Sequence, residues 1–184
     1  MRAATACTVA LVAVIATQIA RAYPEGAPWG AADPAADQHC ASCHWERDPV
    51  YESNAITLQG LPEQLRPNTE YELALVFSDA AAVVSGFQLI IAADGHRAGT
   101  LSAHSDDIAI NVIESSARST AVQRLDAGAT TWRISWRTPA TLSGPITLFT
   151  AASAANDDQS PFGDQIHYRR FDVAAAQADT DAGH

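Results

Sequence analysis

The run Trp132-Arg133-Ile134-Ser135-Trp136 puts two tryptophans and an isoleucine on one side of an extended chain, and Pro139 ends it. The same two-residue period recurs along the sequence. Leu73, Leu75 and Phe77 alternate with Glu72, Ala74 and Val76. Phe87–Ile91 is an apolar run stopped by the turn pair Asp94-Gly95, and Ile108–Ile113 and Ile146–Thr150 are further runs of strand length. A last strand is expected over Gln165–Val173. The alanine-rich stretches at 80–82 and 151–155 are too short to make crossover helices. Short strands at regular spacing, separated by Gly, Pro and Asp turns, predict an all-β fold, an antiparallel β-sandwich.

The chain begins differently. Arg2 precedes an apolar run from Ala3 to about Ile19, and Ala20-Arg21-Ala22 has the small-x-small form of a signal-peptidase site. Residues 1–22 therefore read as a secretory signal peptide. The run is shorter than the ~20 apolar residues a membrane-spanning helix needs. Cleavage after Ala22 removes Cys7 and the only methionine, Met1. Loss of Arg2 and Arg21 takes the formal charge from −10 to −12. The chain has no lysine, and an acidic surface of this kind disfavours nucleic acids and anionic membranes and favours a cationic protein partner.

Between Tyr23 and about Ala55 the sequence is rich in Ala, Pro, Gly and Asp, and an irregular segment is expected there. It carries Cys40-Ala41-Ser42-Cys43-His44. C-x-x-C-H is the attachment pattern of c-type haem: two thiols three positions apart can add to the two vinyl groups on one haem edge, and the next residue is placed to bind the iron. One covalent haem c is the expected cofactor, held by Cys40, Cys43 and His44. Three other readings compete with it. The cysteines could form a disulfide or a redox dithiol, although the βαβ setting of a thioredoxin-like pair is missing. The spacing could arise by chance. Zinc would need four ligands, and His39, Cys40, Cys43 and His44 are too crowded to close a tetrahedral shell.

Without a methionine in the mature chain, the second axial iron ligand would be His39, His96, His104 or His167, or the position would be open or held by water. His39 would need a sharp chain reversal, and His96 lies in a turn. His104 and His167 are the favoured candidates, equally. Trp45 is placed either to lie against the macrocycle or to make a rim contact with the sandwich. Asn156, Asp157, Asp158 and Asp164 have the oxygen chemistry of a hard-cation site without the spacing of a known loop, and a solvated acidic loop is the plainer reading. No nucleophile–base pattern, phosphate loop or paired-carboxylate motif stands out, so no enzyme activity is expected.

The motifs of the core resemble those of the Reeler (reelin-type) domain. Pro67–Leu73 resembles its "PGxTYxL" entry strand; Ser85–Leu89 with Ala98–Leu101 resembles "GFQL…AGTL". Trp132–Pro139 resembles "WxFxWxAP", and Ala151–Asn156 followed by Gly163–Tyr168 resembles "AGNAANG…SGDxIY". These motifs span about residues 56–172. The resemblance is to bacterial members with a choice-of-anchor label, which often carry a C-x-x-C-H segment just upstream, and it implies an immunoglobulin-like β-sandwich. One departure is that Val112–Ser116 stands in place of the family's "YxxHT", with Ser115 where the histidine would fall.

The domain reading is thus a signal peptide at 1–22, a haem-attachment segment at 23–55, a Reeler-like β-sandwich at 56–174 and a tail without structure at 175–184. The expected protein is an exported single-haem, c-type electron-transfer protein of the periplasm or cell surface, meeting a redox partner. An extracellular adhesion or binding module without a redox role is the alternative, and a haem-based small-ligand sensor or peroxidase comes third.

Overall fold

The computed structural model describes residues 27–176, so the signal peptide and most of the tail lie outside the described residues. In chain order the strands are β1 (Ile56–Gln59), β2 (Gln64–Leu65), β3 (Glu70–Ser78), β4 (Val84–Ser85), β5 (Phe87–Ala93), β6 (His96–Arg97) and β7 (Thr100–Ala103), followed by β8 (Ile108–Asn111), β9 (Ser116–Ser119), β10 (Gln123–Arg124), β11 (Ala129–Arg137), β12 (Ile146–Ala154) and β13 (Gln165–Ala175). The two strands that alternate most clearly in sequence, β3 and β11, form the central pair of one sheet. That sheet has the order β1-β3-β11-β7. The other runs β2-β13-β12-β5-β9-β8, with β6 paired to β5. All pairings are antiparallel except the short contact of β2 with β13. A small pair, β4 with β10, sits beside them. The molecule is an all-β sandwich.

Leu73, Leu75 and Phe77 of β3 and Trp132, Ile134 and Trp136 of β11 face Phe87, Leu89 and Ile91 of β5 and Ile146 and Leu148 of β12 in one continuous core. Phe87 and Trp132 meet with ring centroids 4.7 Å apart. The Ala98-Gly99 motif gains a physical reason here. The indole N–H of Trp136 donates to the Ala98 carbonyl at 3.2 Å. Gly99 has φ +80°, and a Cβ there would lie 2.5 Å from the same indole nitrogen and 2.3 Å from the Arg137 carbonyl oxygen. Ser115 does local work: its hydroxyl donates to the Gly99 carbonyl at 2.7 Å, tying the β8–β9 turn down.

The run 87–91 is apolar at nearly every position because its sheet is covered on both faces. Ile90 of β5, Ala151 of β12 and Ile166 and Tyr168 of β13 point away from the sandwich and pack against Ala32 and Ala41 of the preceding segment. That segment then runs along the edge of the second sheet. Val50 N–H donates to Ile166 O, Tyr168 N–H to Val50 O and Ser53 N–H to Tyr168 O, each at 2.8 Å. Among the described residues no helix is long and apolar enough to cross a membrane.

His167 lies on the inner side of β13, 5% exposed. Its Nδ1 is 2.8 Å from the Ser53 hydroxyl, its Nε2 is 3.3 Å from Asp79 Oδ2, and Phe77 meets its ring edge-on. Burial lowers its pKa below 6.5; Asp79 opposes the shift and Arg47 adds to it. Below pH 6.5 the unfolded chain therefore binds a proton that the folded chain resists. Stability should be intact above that pH and fall progressively as the pH drops below it. Denaturant midpoints measured from pH 7.5 to 5 should fall in the unmodified protein and fall less steeply in His167→Gln. Identical slopes would contradict this account.

Candidate functional site

Cys40–Ser42 form one 3-10 turn, with His39 at its N-terminal cap. The turn is fixed from both sides. The Cys40 amide donates to the Ala31 carbonyl at 3.1 Å, the Ala41 amide to the Tyr168 hydroxyl at 3.0 Å, and His39 Nδ1 lies 3.2 Å from that hydroxyl. Tyr168 in turn stacks on Tyr51, with centroids 5.7 Å apart. Further upstream, Gln88 is 1% exposed. Its side-chain carbonyl accepts from the Ala32 amide at 2.8 Å, and its Nε2 donates to Pro28 O at 2.7 Å. Arg118 adds a hydrogen bond to the Ala27 carbonyl and lies over the Trp29 ring. Gln88 and Tyr168 thus dock the segment on the sheet. Replacing Gln88 by Leu leaves an amide and a carbonyl without partners and should cost about 1–3 kcal/mol of docking. Faster hydrogen exchange confined to residues 27–44 would show it, and unchanged exchange there would contradict it.

Beneath this turn is a cavity of about 700 Å³, within the ~300–1,000 Å³ typical of cofactor and ligand pockets. Cys40, Cys43 and His44 line it together with Pro28, Ala31 and His39 of the segment. The sheet contributes Gly86, Phe87, Ala151, Ser153 and Ile166, and the connection between β12 and β13 contributes Asp157, Asp158 and Asp164. The wall is largely apolar, and its sheet side mixes the small residues Gly86, Ala151 and Ser153 with Phe87, Gln88 and Ile166.

Both cysteines are free. Cys40 is held inside, its thiol donating to the Ala31 carbonyl at 3.3 Å, and burial pushes its pKa up to about 12. His44 Nδ1 lies 3.0 Å from Asp164 Oδ2, and the Asp164 side chain is 4% exposed. The pair is close without being aligned as a hydrogen bond, and a carboxylate beside Nδ1 favours the proton on that nitrogen, which leaves Nε2 as the lone pair for a metal. The residues present therefore fit a covalently attached haem: two thiols at the required spacing, one orientable imidazole and an apolar cavity beside them. Among the described residues, no three His, Cys, Asp or Glu side chains are grouped to hold a bare metal ion. A haem iron needs only axial protein ligands.

The structure does not bring His104 or His167, the favoured candidates for the second axial ligand, to this cavity. His167 faces the sandwich interior among Ser53, Phe77 and Asp79, because strand alternation turns it away from Ile166 and Tyr168. His104 follows β7 on the outer side of the other sheet, with Nε2 2.7 Å from both Ser135 Oγ and Glu72 Oε2. Both sheets separate it from Cys40. His96 is exposed at the start of β6. Trp45 makes a rim contact: it is 64% exposed and meets Phe162 edge-on at 5.7 Å. The acidic group divides. Asp164 turns inward to His44, whereas Asn156, Asp158 and Ser160 close on one another: the Asp158 amide donates to the Asn156 side chain, the Ser160 amide to the Asp158 carboxylate, and Asn156 Nδ2 to that carboxylate, and Asp157 pairs with Arg124.

No protein-family model and no curated protein matches the sequence. Among solved structures, the chain is similar to the human F-spondin reeler domain, with a TM-score of 0.50 and 16% identity over 70% of this chain and 93% of that one. The Reelin-N domain of F-spondin gives 0.49 and 17% identity, covering 71% and 91%. A cohesin module from a Clostridium perfringens family 33 glycoside hydrolase gives 0.46 and 11%, covering 67% and 96%. The chain has a Reeler-like β-sandwich fold.

Proposed function

We propose that this chain is an exported protein carrying one covalent haem c, with Cys40 and Cys43 as thioether donors and His44 as axial ligand, and that it works in electron transfer in the periplasm or at the cell surface. The observation that carries the reading is the meeting of the C-x-x-C-H turn, the Asp164-oriented imidazole and a 700 Å³ apolar cavity at one place. When bound, the haem supplies a reversible one-electron iron couple. The chain's own residues do the rest. Gln88 and Tyr168 fix the attachment turn on a rigid sheet, Asp164 holds the His44 ring, and the apolar wall limits water around the iron. The acidic surface steers a cationic redox partner toward it, an attraction that salt should weaken.

The test is a potentiometric titration of protein purified from a host with c-type cytochrome maturation. A single reversible one-electron wave in the visible spectrum is expected. A covalently loaded protein without a reversible wave would contradict electron transfer. The Reeler-like fold favours a second reading, an extracellular binding module whose N-terminal segment has no redox role, and protein that takes up no haem would support it.

A further inference from the structure

The donors around the cavity are few, and they lie on one side of it. Among the described lining residues, imidazoles come from His39 and His44 and thiols from Cys40 and Cys43. Thioether formation uses both thiols. His39 directly precedes Cys40 on the attachment turn and is held at 3.2 Å by the Tyr168 hydroxyl, whereas a ligand opposite His44 must come from the far face of the macrocycle. The sheet wall offers Gly86, Phe87, Gln88, Ala151, Ser153 and Ile166, none with an imidazole, thiol or thioether, and the Gln88 amide is taken up by Pro28 and Ala32. Three carboxylates also line the cavity: Asp157, paired with Arg124; Asp158; and Asp164 beside His44.

Resting on the haem reading above, we infer that this cavity gives the iron one protein nitrogen only, from His44, and that the opposite axial position takes a small neutral ligand of the diatomic-gas class in preference to an anion. Short side chains leave room for such a ligand, and the carboxylates raise the cost of a negative charge beside the iron. A centre of this kind answers to a ligand as well as to a redox partner.

The test uses the haem-loaded full chain and carbon monoxide and azide as probes. The ferric spectrum should be high-spin. Carbon monoxide should shift the Soret band of the reduced protein at stoichiometric concentration. Azide should bind weakly to the ferric form, and about twofold more tightly in Asp158→Asn, the gain expected from removing one partly screened charge. A low-spin ferric spectrum with no carbon monoxide shift, in protein whose haem is covalent, overturns this inference and leaves the haem reading standing. Conversion of such a spectrum to high-spin in His39→Ala would place His39 on the iron. Azide saturating at micromolar concentration, or with equal affinity in Asp158→Asn, overturns the preference against anions. Protein with no covalent haem overturns both readings.

Discussion

Trp136→Ala is expected to lower the folding stability of the sandwich by roughly 3–5 kcal/mol, the cost of truncating a fully buried large aromatic. The total stability of a domain this size is only about 5–15 kcal/mol. Trp136 and Trp132 are 0% and 1% exposed, on the core face of β11, and Trp132→Ala should cost a similar amount. The two differ in their polar atoms. The Trp136 N–H donates to Ala98, whereas the Trp132 Nε1 is buried without a hydrogen-bond partner. Trp136→Phe therefore strands the Ala98 carbonyl and should cost about 1–3 kcal/mol more than Trp132→Phe, which removes an unpaired donor. Chemical denaturation of the four variants checks this. Equal costs for the two phenylalanine variants would show that the hydrogen bond to Ala98 contributes nothing, and near-neutral alanine variants would show that this face is not the core.

The double replacement Cys40→Ala with Cys43→Ala should abolish covalent haem while leaving the sandwich folded. Each thiol would form one thioether, and no other cysteine lies beyond residue 22. Neither side chain belongs to the main core between the sheets. Export and the denaturation midpoint should change little, and the haem-stained band on a denaturing gel should vanish. Haem retained in the double variant would sink the thioether assignment. A collapse of stability would show that the turn is structural.

The features legible in sequence were those set by local chemistry. The alternation in β3 and β11 and the C-x-x-C-H spacing each depend on a few adjacent residues. The run 108–113 overreached: β8 ends at Asn111, and Val112 and Ile113 are exposed in the turn beyond it. What was not legible depended on which face of a strand meets which partner. His167 and Tyr168 are neighbours, yet one faces the sandwich interior and the other anchors the attachment turn. Sequence cannot choose between the phases of a strand that is covered on both faces. Gln88 reads as one polar residue in an apolar run, and its clamp on Pro28 and Ala32 exists only after the segment has docked. Asp164 stood out through its acidity, but its contact with His44 spans 120 positions of chain and left no local signal.

We propose that this cavity holds a haem bonded to Cys40 and Cys43. The most direct measurement is the intact mass and visible spectrum of the protein, made in a host with c-type cytochrome maturation, after denaturation and acid–acetone extraction. A mass raised by one haem and a sharp reduced α-band that stays with the polypeptide are expected. A mass equal to the bare chain, with all colour in the organic phase or none at all, would contradict it.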